Sequence, residues 1–341
     1  MMRLLLIVIA SLASSVAFAQ GCCSGGAGSP ISGGAASGVL LKNQLEVSTN
    51  YQFTQSNAFY SGSTDTTALF NNLRTDYSYF RVDYGITKDL TLSLASGYFL
   101  NKSYQKLEDE KLTAKSGVGD LIIFPRFNLY NKQKDNYRTE FSIGLGMKVP
   151  LGVHDDSVKV VVDLSEFGLP DVIYYSMAAP IVQRSTGSND FLFYSFWYRG
   201  YHKRAFRVFA NSLYIKKGYN SLGEKFGDYA SVGVFASKTL RRNWGLTYQL
   251  KGEVIQGMQS ARGVDLLAEY NIDPKSTGSK KVFFIPQVSY SRKSLTAYIT
   301  SEFPLYQYLN GTQVGSQLQF TIGFNYRFLV KKEASGVLQK I

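Results

Sequence analysis

Apolar residues fall on every second position in one segment of this chain after another, and no other feature restricts the fold as much. In QLQFTIGFNYRF, residues 317–328, Leu318, Phe320, Ile322, Phe324, Tyr326 and Phe328 alternate with Gln319, Thr321, Gly323, Asn325 and Arg327. Successive side chains of a strand point to opposite faces, so this reads as a strand with one oily and one wet face. A soluble sandwich turns the oily face inward and a membrane barrel turns it outward. The stretch alone fits either.

The same alternation recurs in segments of about ten residues, the length a tilted strand needs to cross a bilayer. LEVSTNYQF puts Leu45, Val47, Tyr51 and Phe53 on one side. FRVDYGI and LTLSLASGYFL form a hairpin across Thr87-Lys88-Asp89, and DLIIFPRFNLY pairs with TEFSIGLGMKV. DFLFYSFWYRG with AFRVFANSLYI makes a third pair whose facing is ambiguous, because almost every position is apolar. YASVGVFASKTL with WGLTYQLKGEV, VFFIPQVSYS with LTAYITSEF, and residues 317–328 bring the total to about twelve, an even number as in single-chain outer-membrane barrels.

Loop lengths supply a separate test, since such barrels use short turns on the periplasmic side and long loops outside. Short links (87–89, 131–136, 200–204, 241–243, 292–294) alternate with mostly longer ones (54–73, 101–116, 150–187, 257–280, 304–315). A sandwich explains the alternation of residues but not this parity of loops. The expected fold is therefore an all-β transmembrane antiparallel barrel of about 12 strands over residues 44–328. Residues 318–328 then face lipid, and Tyr98, Tyr130, Trp244 and Phe328 fall in interfacial girdles. The composition agrees: 24 Tyr, 23 Phe and 31 Gly against 8 Pro suit strands and turns.

Residues 1–19 read as a secretory signal: a basic start, the apolar run LLLIVIASLA and an A-x-A site before Gln20. An uncleaved anchor is the alternative, weakened by the short apolar run. No later run approaches the roughly 20 apolar residues a spanning helix requires. Residues 20–43 form a flexible Gly/Ser-rich lead carrying both cysteines, Cys22 and Cys23, which lipidation, oxidation or neither would explain. The formal charge of +12 attracts anionic partners. Secretion and the absence of a Lys/Arg block set nucleic acid aside, leaving acidic lipid headgroups and lipopolysaccharide.

Four segments, SGVGDLIIFPRFNLY, FSIGLGMKVPLG, FIPQVSYS and FPLYQYLNGTQVGSQLQFTIGFNYRF, together resemble the outer-membrane family labelled for the meta-pathway of phenol degradation, regarded as distant relatives of fatty-acid and aromatic-hydrocarbon channels. The most specific marks are Gly117-Val118-Gly119-Asp120, Pro150-Leu151-Gly152 and Asn310-Gly311-Thr312-Gln313. The resemblance implies a transporter for aromatic or other apolar small molecules, inserted in a Gram-negative outer membrane by the barrel-assembly machinery. It implies no cofactor. The vicinal cysteines, the long segment 153–180 and the tail 329–341 depart from the family's pattern.

With the oily face outward, the lumen receives Arg81, Asp83, Arg126, Arg138, Glu140, Lys148, Lys251, Glu253, Glu302 and Arg327. These charges either brace a narrow interior as ion pairs or line a polar pathway, since a buried charge must be paired or hydrated. Phe99, Ile122, Phe124, Phe283 and Ile285 also face inward and offer an apolar patch, or pack against segment 153–180 folded inward. His154 in GVHDDS is the one candidate catalytic centre, but adjacency in sequence does not make a triad. Asp155 and Asp156 beside it read as solvated rather than as metal ligands. The expected function is passive diffusion through the barrel, with selectivity from lumen polarity and gating by outer loops. The alternatives are a closed structural or surface-interaction barrel and, further off, a hydrolase.

Overall fold

The structure is a computed structural model. It describes residues 38–330 apart from 69, 107–111, 163–169, 171, 179, 242, 271 and 318. The signal sequence, Cys22, Cys23, most of the lead segment, Leu318, the middle of segment 153–180 and the tail beyond residue 330 lie outside the described residues.

Twelve strands build one barrel: β1 (Gln44–Ser56), β2 (Phe70–Gly85), β3 (Leu90–Lys106), β4 (Leu121–Gln133), β5 (Tyr137–Val149), β6 (Asp190–Tyr201), β7 (Phe206–Lys216), β8 (Tyr229–Leu240), β9 (Trp244–Ile255), β10 (Ser279–Arg292), β11 (Leu295–Val314) and β12 (Gln319–Leu329). Each pairs antiparallel with its successor, and β12 pairs back onto β1 from Gln44↔Leu329 to Thr54↔Gln319. Closure removes both sheet edges, the condition for strands to cross a bilayer in which no water can satisfy a free backbone group.

The alternation decides which way each residue points. On β1, Glu46, Ser48, Asn50, Gln52, Thr54 and Ser56 are buried in the interior, while Val47 between them is exposed. Around the wall the outward positions are apolar: Val82, Leu94, Leu145, Val232, Leu250, Ile299 and Phe324 are all exposed. An apolar belt that encircles the molecule far exceeds the few hundred Å² of contiguous apolar patch that a soluble monomer shows. Hydrocarbon is the solvent it fits. At the short-turn end the belt finishes in aromatic pairs, among them Trp244 with Tyr290 (5.1 Å between centroids), Tyr137 with Tyr201 (6.4 Å) and Tyr326 with Phe328 (5.4 Å).

The interior is filled. Tyr79, Phe124, Tyr194, Phe196 and Phe209 belong to one buried cluster inside the barrel. Rings fit there because glycines face them: a Cβ on Gly323 would stand 2.2 Å from the ring of Tyr298, directly opposite on β11. This settles the facing of the ambiguous third hairpin. Leu192, Tyr194 and Phe196 of β6 point inward, and Phe191 and Phe193 outward.

Several expected boundaries move. Residues 304–315 are not a loop, since β11 runs 20 residues to Val314. Pro304 is absorbed at a bulge between Val282 and Phe283 of β10, where a missing N–H breaks no regular ladder bond. Residues 101–106 continue β3, and Leu112–Val118 returns against them as a further strand before β4. Tyr98 accordingly lies well inside β3 rather than at a strand end. β12 closes at Leu329, one residue past the expected limit. The described end of the lead segment is not free either, because Gly38 to Leu40 lie inside the barrel wall.

Candidate functional site

The lumen is charged at three places, each built by side chains on alternate strand positions. At the short-turn end, Asp83 of β2 holds two arginines: Arg81 Nε at 2.8 Å and Arg126 Nη2, from β4, at 2.9 Å. Ser93 of β3 also donates to Asp83. Glu46 of β1 accepts from Arg81 at 3.4 Å and from Arg327 of β12 at 2.5 Å. Arg81, Asp83 and Arg126 are 2%, 1% and 2% exposed, so the heart of this lattice is sealed from bulk water and its pairing is obligatory, while Arg327 reaches solvent.

The lead segment completes that floor. Arg126 Nη1 donates to the Gly38 carbonyl at 2.9 Å, Val39 N–H donates to Glu140 Oε1 at 3.1 Å, and Leu40 N–H to Thr91 Oγ1 at 2.8 Å. Glu140 in turn accepts from Arg138 at 2.8 Å. The chain enters β1 from inside the lumen, so residues 38–40 form a strap across the wall of β3 to β5.

Farther along the lumen, Lys251 of β9 reaches Glu302 of β11 at 2.7 Å and Glu253 at 3.7 Å, with its ammonium 4.5 Å from the Phe283 ring centroid. Tyr229 donates to Glu253 and Gln319 to Glu302. At the long-loop end, Lys148 of β5 bridges Asp120 at 2.8 Å and Asp190 at 3.1 Å, and Lys217 joins Asp190 at 2.9 Å. Between the charged layers lies the aromatic cluster, in which the buried hydroxyls of Tyr79 and Tyr194 have no hydrogen-bond partner among the described residues. Each such group costs about 1–3 kcal/mol.

All ten residues proposed from the sequence thus point into the barrel, and the fold sorts them. Arg81, Asp83, Arg126, Arg138, Glu140 and Arg327 meet at the short-turn end, Lys251, Glu253 and Glu302 form the second group, and Lys148 the third. Glu46 was missed although LEVSTNYQF places it between outward Leu45 and Val47. Asp190 was missed because it opens a strand whose apolar run hides its facing. Lys281, 2% exposed and bonded to Ser316 at 2.8 Å, was missed as part of an expected loop edge.

Long loops cover the other mouth. Phe59, Leu73 and Val314 pack with Ile181 and Ala68 over the β1, β2 and β11 ends, and Phe226, Met258 and Leu266 pack over β7 to β10. Of segment 153–180, the part that turns inward is its end, Pro180–Val182, where Val182 is fully buried and Lys102 donates to the Gln183 carbonyl. Its hairpin, Ser157–Val162 with Val172–Met177, leaves Tyr175 71% exposed. Phe99, Ile122 and Phe124 are buried in the aromatic cluster of the lumen, Phe283 lies beneath Lys251, and Ile285 is buried.

His154 lies 2.9 Å from Ser221 Oγ, while neighbouring Asp156 pairs with Arg184 at 2.6 Å and Lys115 at 3.7 Å. Asp156 is thus engaged with cations. His202 contacts Gln133 at 2.7 Å. Among the described residues no three His, Cys, Asp or Glu side chains gather as a metal would require.

These features define a closed up-and-down β-barrel with an apolar belt and a packed, charged lumen, the fold of outer-membrane barrels. No protein-family model matches the sequence, and no curated protein does. Among solved structures the chain is similar to the COG4313 outer membrane channel from Pseudomonas putida F1, with a TM-score of 0.61 and 11% identity over 86% of this chain and 100% of that one. A Pseudomonas aeruginosa FadL homologue is more remote, with a TM-score of 0.39 and 9% identity over 83% of this chain and 90% of that one. At such identities the likeness is one of fold alone.

Proposed function

We propose that the protein is an outer-membrane conduit for small molecules, aromatic or otherwise apolar, that move through the barrel by passive diffusion. The observation that carries this reading is the layered lumen: an aromatic sleeve among three charged groups, with a strap at one end and loops at the other. The cargo class comes from the motif resemblance, and the likeness in fold to the Pseudomonas putida outer membrane channel supports transport. Rings in the sleeve suit a planar apolar solute, and the ion-paired layers, their charges already engaged with one another, would hold back free ions. Residues 38–40 stand at one mouth of the barrel and long loops at the other, so the strap or the loop cover would gate passage.

Burial of Arg81, Asp83 and Tyr79 favours a second reading, a permanently closed structural barrel. Ion conductance of the purified, refolded protein in a planar bilayer, with and without an aromatic hydrocarbon, separates the two. Conductance steps that the hydrocarbon blocks, and whose ion selectivity shifts in Lys251→Ala, fit a conduit. Silence from protein shown to be inserted and folded rejects it.

A further inference from the structure

The outward face of the short-turn rim carries a charge that the lumen does not use. On β6 the even positions Leu192, Tyr194 and Phe196 are buried inside, so Trp197, Arg199 and Tyr201 share the outward face. Arg199 thus stands on the lipid side at the aromatic girdle. Its guanidinium lies 5.1 Å from the Tyr137 centroid and 5.8 Å from that of Trp197, and its Nε donates to Thr139 Oγ1 at 3.1 Å. Of five N–H donors, that is the one with a described acceptor.

Other cations surround it. Lys134 sits 5.5 Å from the same Tyr137 ring. Exposed Lys203 and Arg204 follow Tyr201 in the turn, and exposed Lys238 is paired opposite Phe206, itself opposite Tyr201. The neighbouring turns continue the arc with Arg241 and Lys293. Both adopt the left-handed conformation, with φ of 43° and 55°, where Gly or Asn would sit with less strain. Large basic side chains occupy positions that turn chemistry alone would give to other residues.

We propose that this rim binds the phosphate of an anionic glycerophospholipid in the periplasmic leaflet, with Arg199 as its central ligand. The planar guanidinium matches a phosphodiester through two parallel N–H donors, the flanking rings hold it at headgroup depth, and Lys134, Lys203, Arg204 and Lys238 supply the remaining charge. Short turns face the periplasm in barrels of this kind, which assigns the leaflet and separates the site from lipopolysaccharide.

The test is native mass spectrometry of the full chain released from micelles doped equally with phosphatidylglycerol and phosphatidylcholine. The intact protein is expected to retain phosphatidylglycerol preferentially. Arg199→Gln with Lys238→Gln should cut that retention about thirtyfold, as loss of two interfacial charges at about 1 kcal/mol each implies. Arg199→Lys should fall between, and Lys280→Gln, exposed at the opposite rim, should change nothing. If the double variant does not fold, Lys203→Gln with Arg204→Gln in the exposed turn carries the same expectation. Equal retention of both lipids by the intact protein, or undiminished retention in the folded variants, overturns the proposal. Displacement of the lipid by millimolar inorganic phosphate overturns the lipid assignment.

Discussion

Arg126 of β4 donates to the main-chain carbonyl of Gly38 at 2.9 Å, and the same guanidinium holds Asp83 of β2. One side chain therefore ties the lead segment to the most buried ion pair of the wall. Closure of the lumen and stability of the barrel share a residue, so the two properties are coupled at this end of the molecule.

The strap is the more easily released partner of that coupling. A Cβ on Gly38 would stand 2.1 Å from the Glu140 carboxylate. Gly38→Val is expected to push the Glu140 carboxylate off the Val39 N–H, weaken the hold on residues 38–40 and leave the strands paired. Single-channel recording should show a higher open fraction than in the parent protein, with an unchanged β-sheet circular dichroism spectrum. Unchanged conductance would show that the strap does not obstruct the path.

Asp83 is expected to be among the most sensitive positions in the barrel. Asp83→Asn leaves Arg81 and Arg126 facing each other in a dry interior, which typically costs about 3–5 kcal/mol. Denaturant unfolding in lipid vesicles should show that loss. Arg74→Gln, whose cation is 49% exposed, leaves the buried Asp76 its hydrogen bonds from Tyr51 and Asn101 and should cost less than Asp83→Asn.

The ring of Tyr298 and the bare backbone of Gly323 form a fitted pair, so Gly323→Ala should destabilise by roughly 1–3 kcal/mol through overpacking. In a Tyr298→Ala background the same glycine substitution should cost less, giving a coupling energy in a double-mutant cycle. Strict additivity would mean that the ring can move aside without strain.

Acid should loosen one outer loop. Burial pushes the Asp228 carboxyl up, but the Lys217 N–H at 2.8 Å, Lys216 at 3.1 Å and the Tyr214 hydroxyl at 2.9 Å outweigh it and hold the group below its ordinary 3.8. A depressed folded value contributes stability that is complete above 3.8 and disappears as pH falls through the lower folded value. Hydrogen exchange of residues 217–228 should be well protected at pH 6 and accelerate in that acid window, and Asp228→Asn should remove the dependence.

Period-two patterning was enough to give the strand order, the outward face and the inward direction of Arg81, Asp83, Lys251 and Arg327, because a strand offers a side chain only two directions and the bilayer accepts one kind. Loop parity added closure and the position of the turns. It could not say which inward charges meet, since Asp83 with Arg126 and Lys251 with Glu302 are neighbours through barrel curvature and strand stagger, not through spacing along the chain. Residues 304–314 looked like a loop because proline and glycine interrupt them, and only pairing with β10 and the Phe59–Gly62 segment shows that bulges absorb both. The strap was illegible for a similar reason: Gly38 to Leu40 have no pattern of their own, and their place is fixed by hydrogen bonds to Thr91, Arg126 and Glu140 that exist only once β3, β4 and β5 stand side by side.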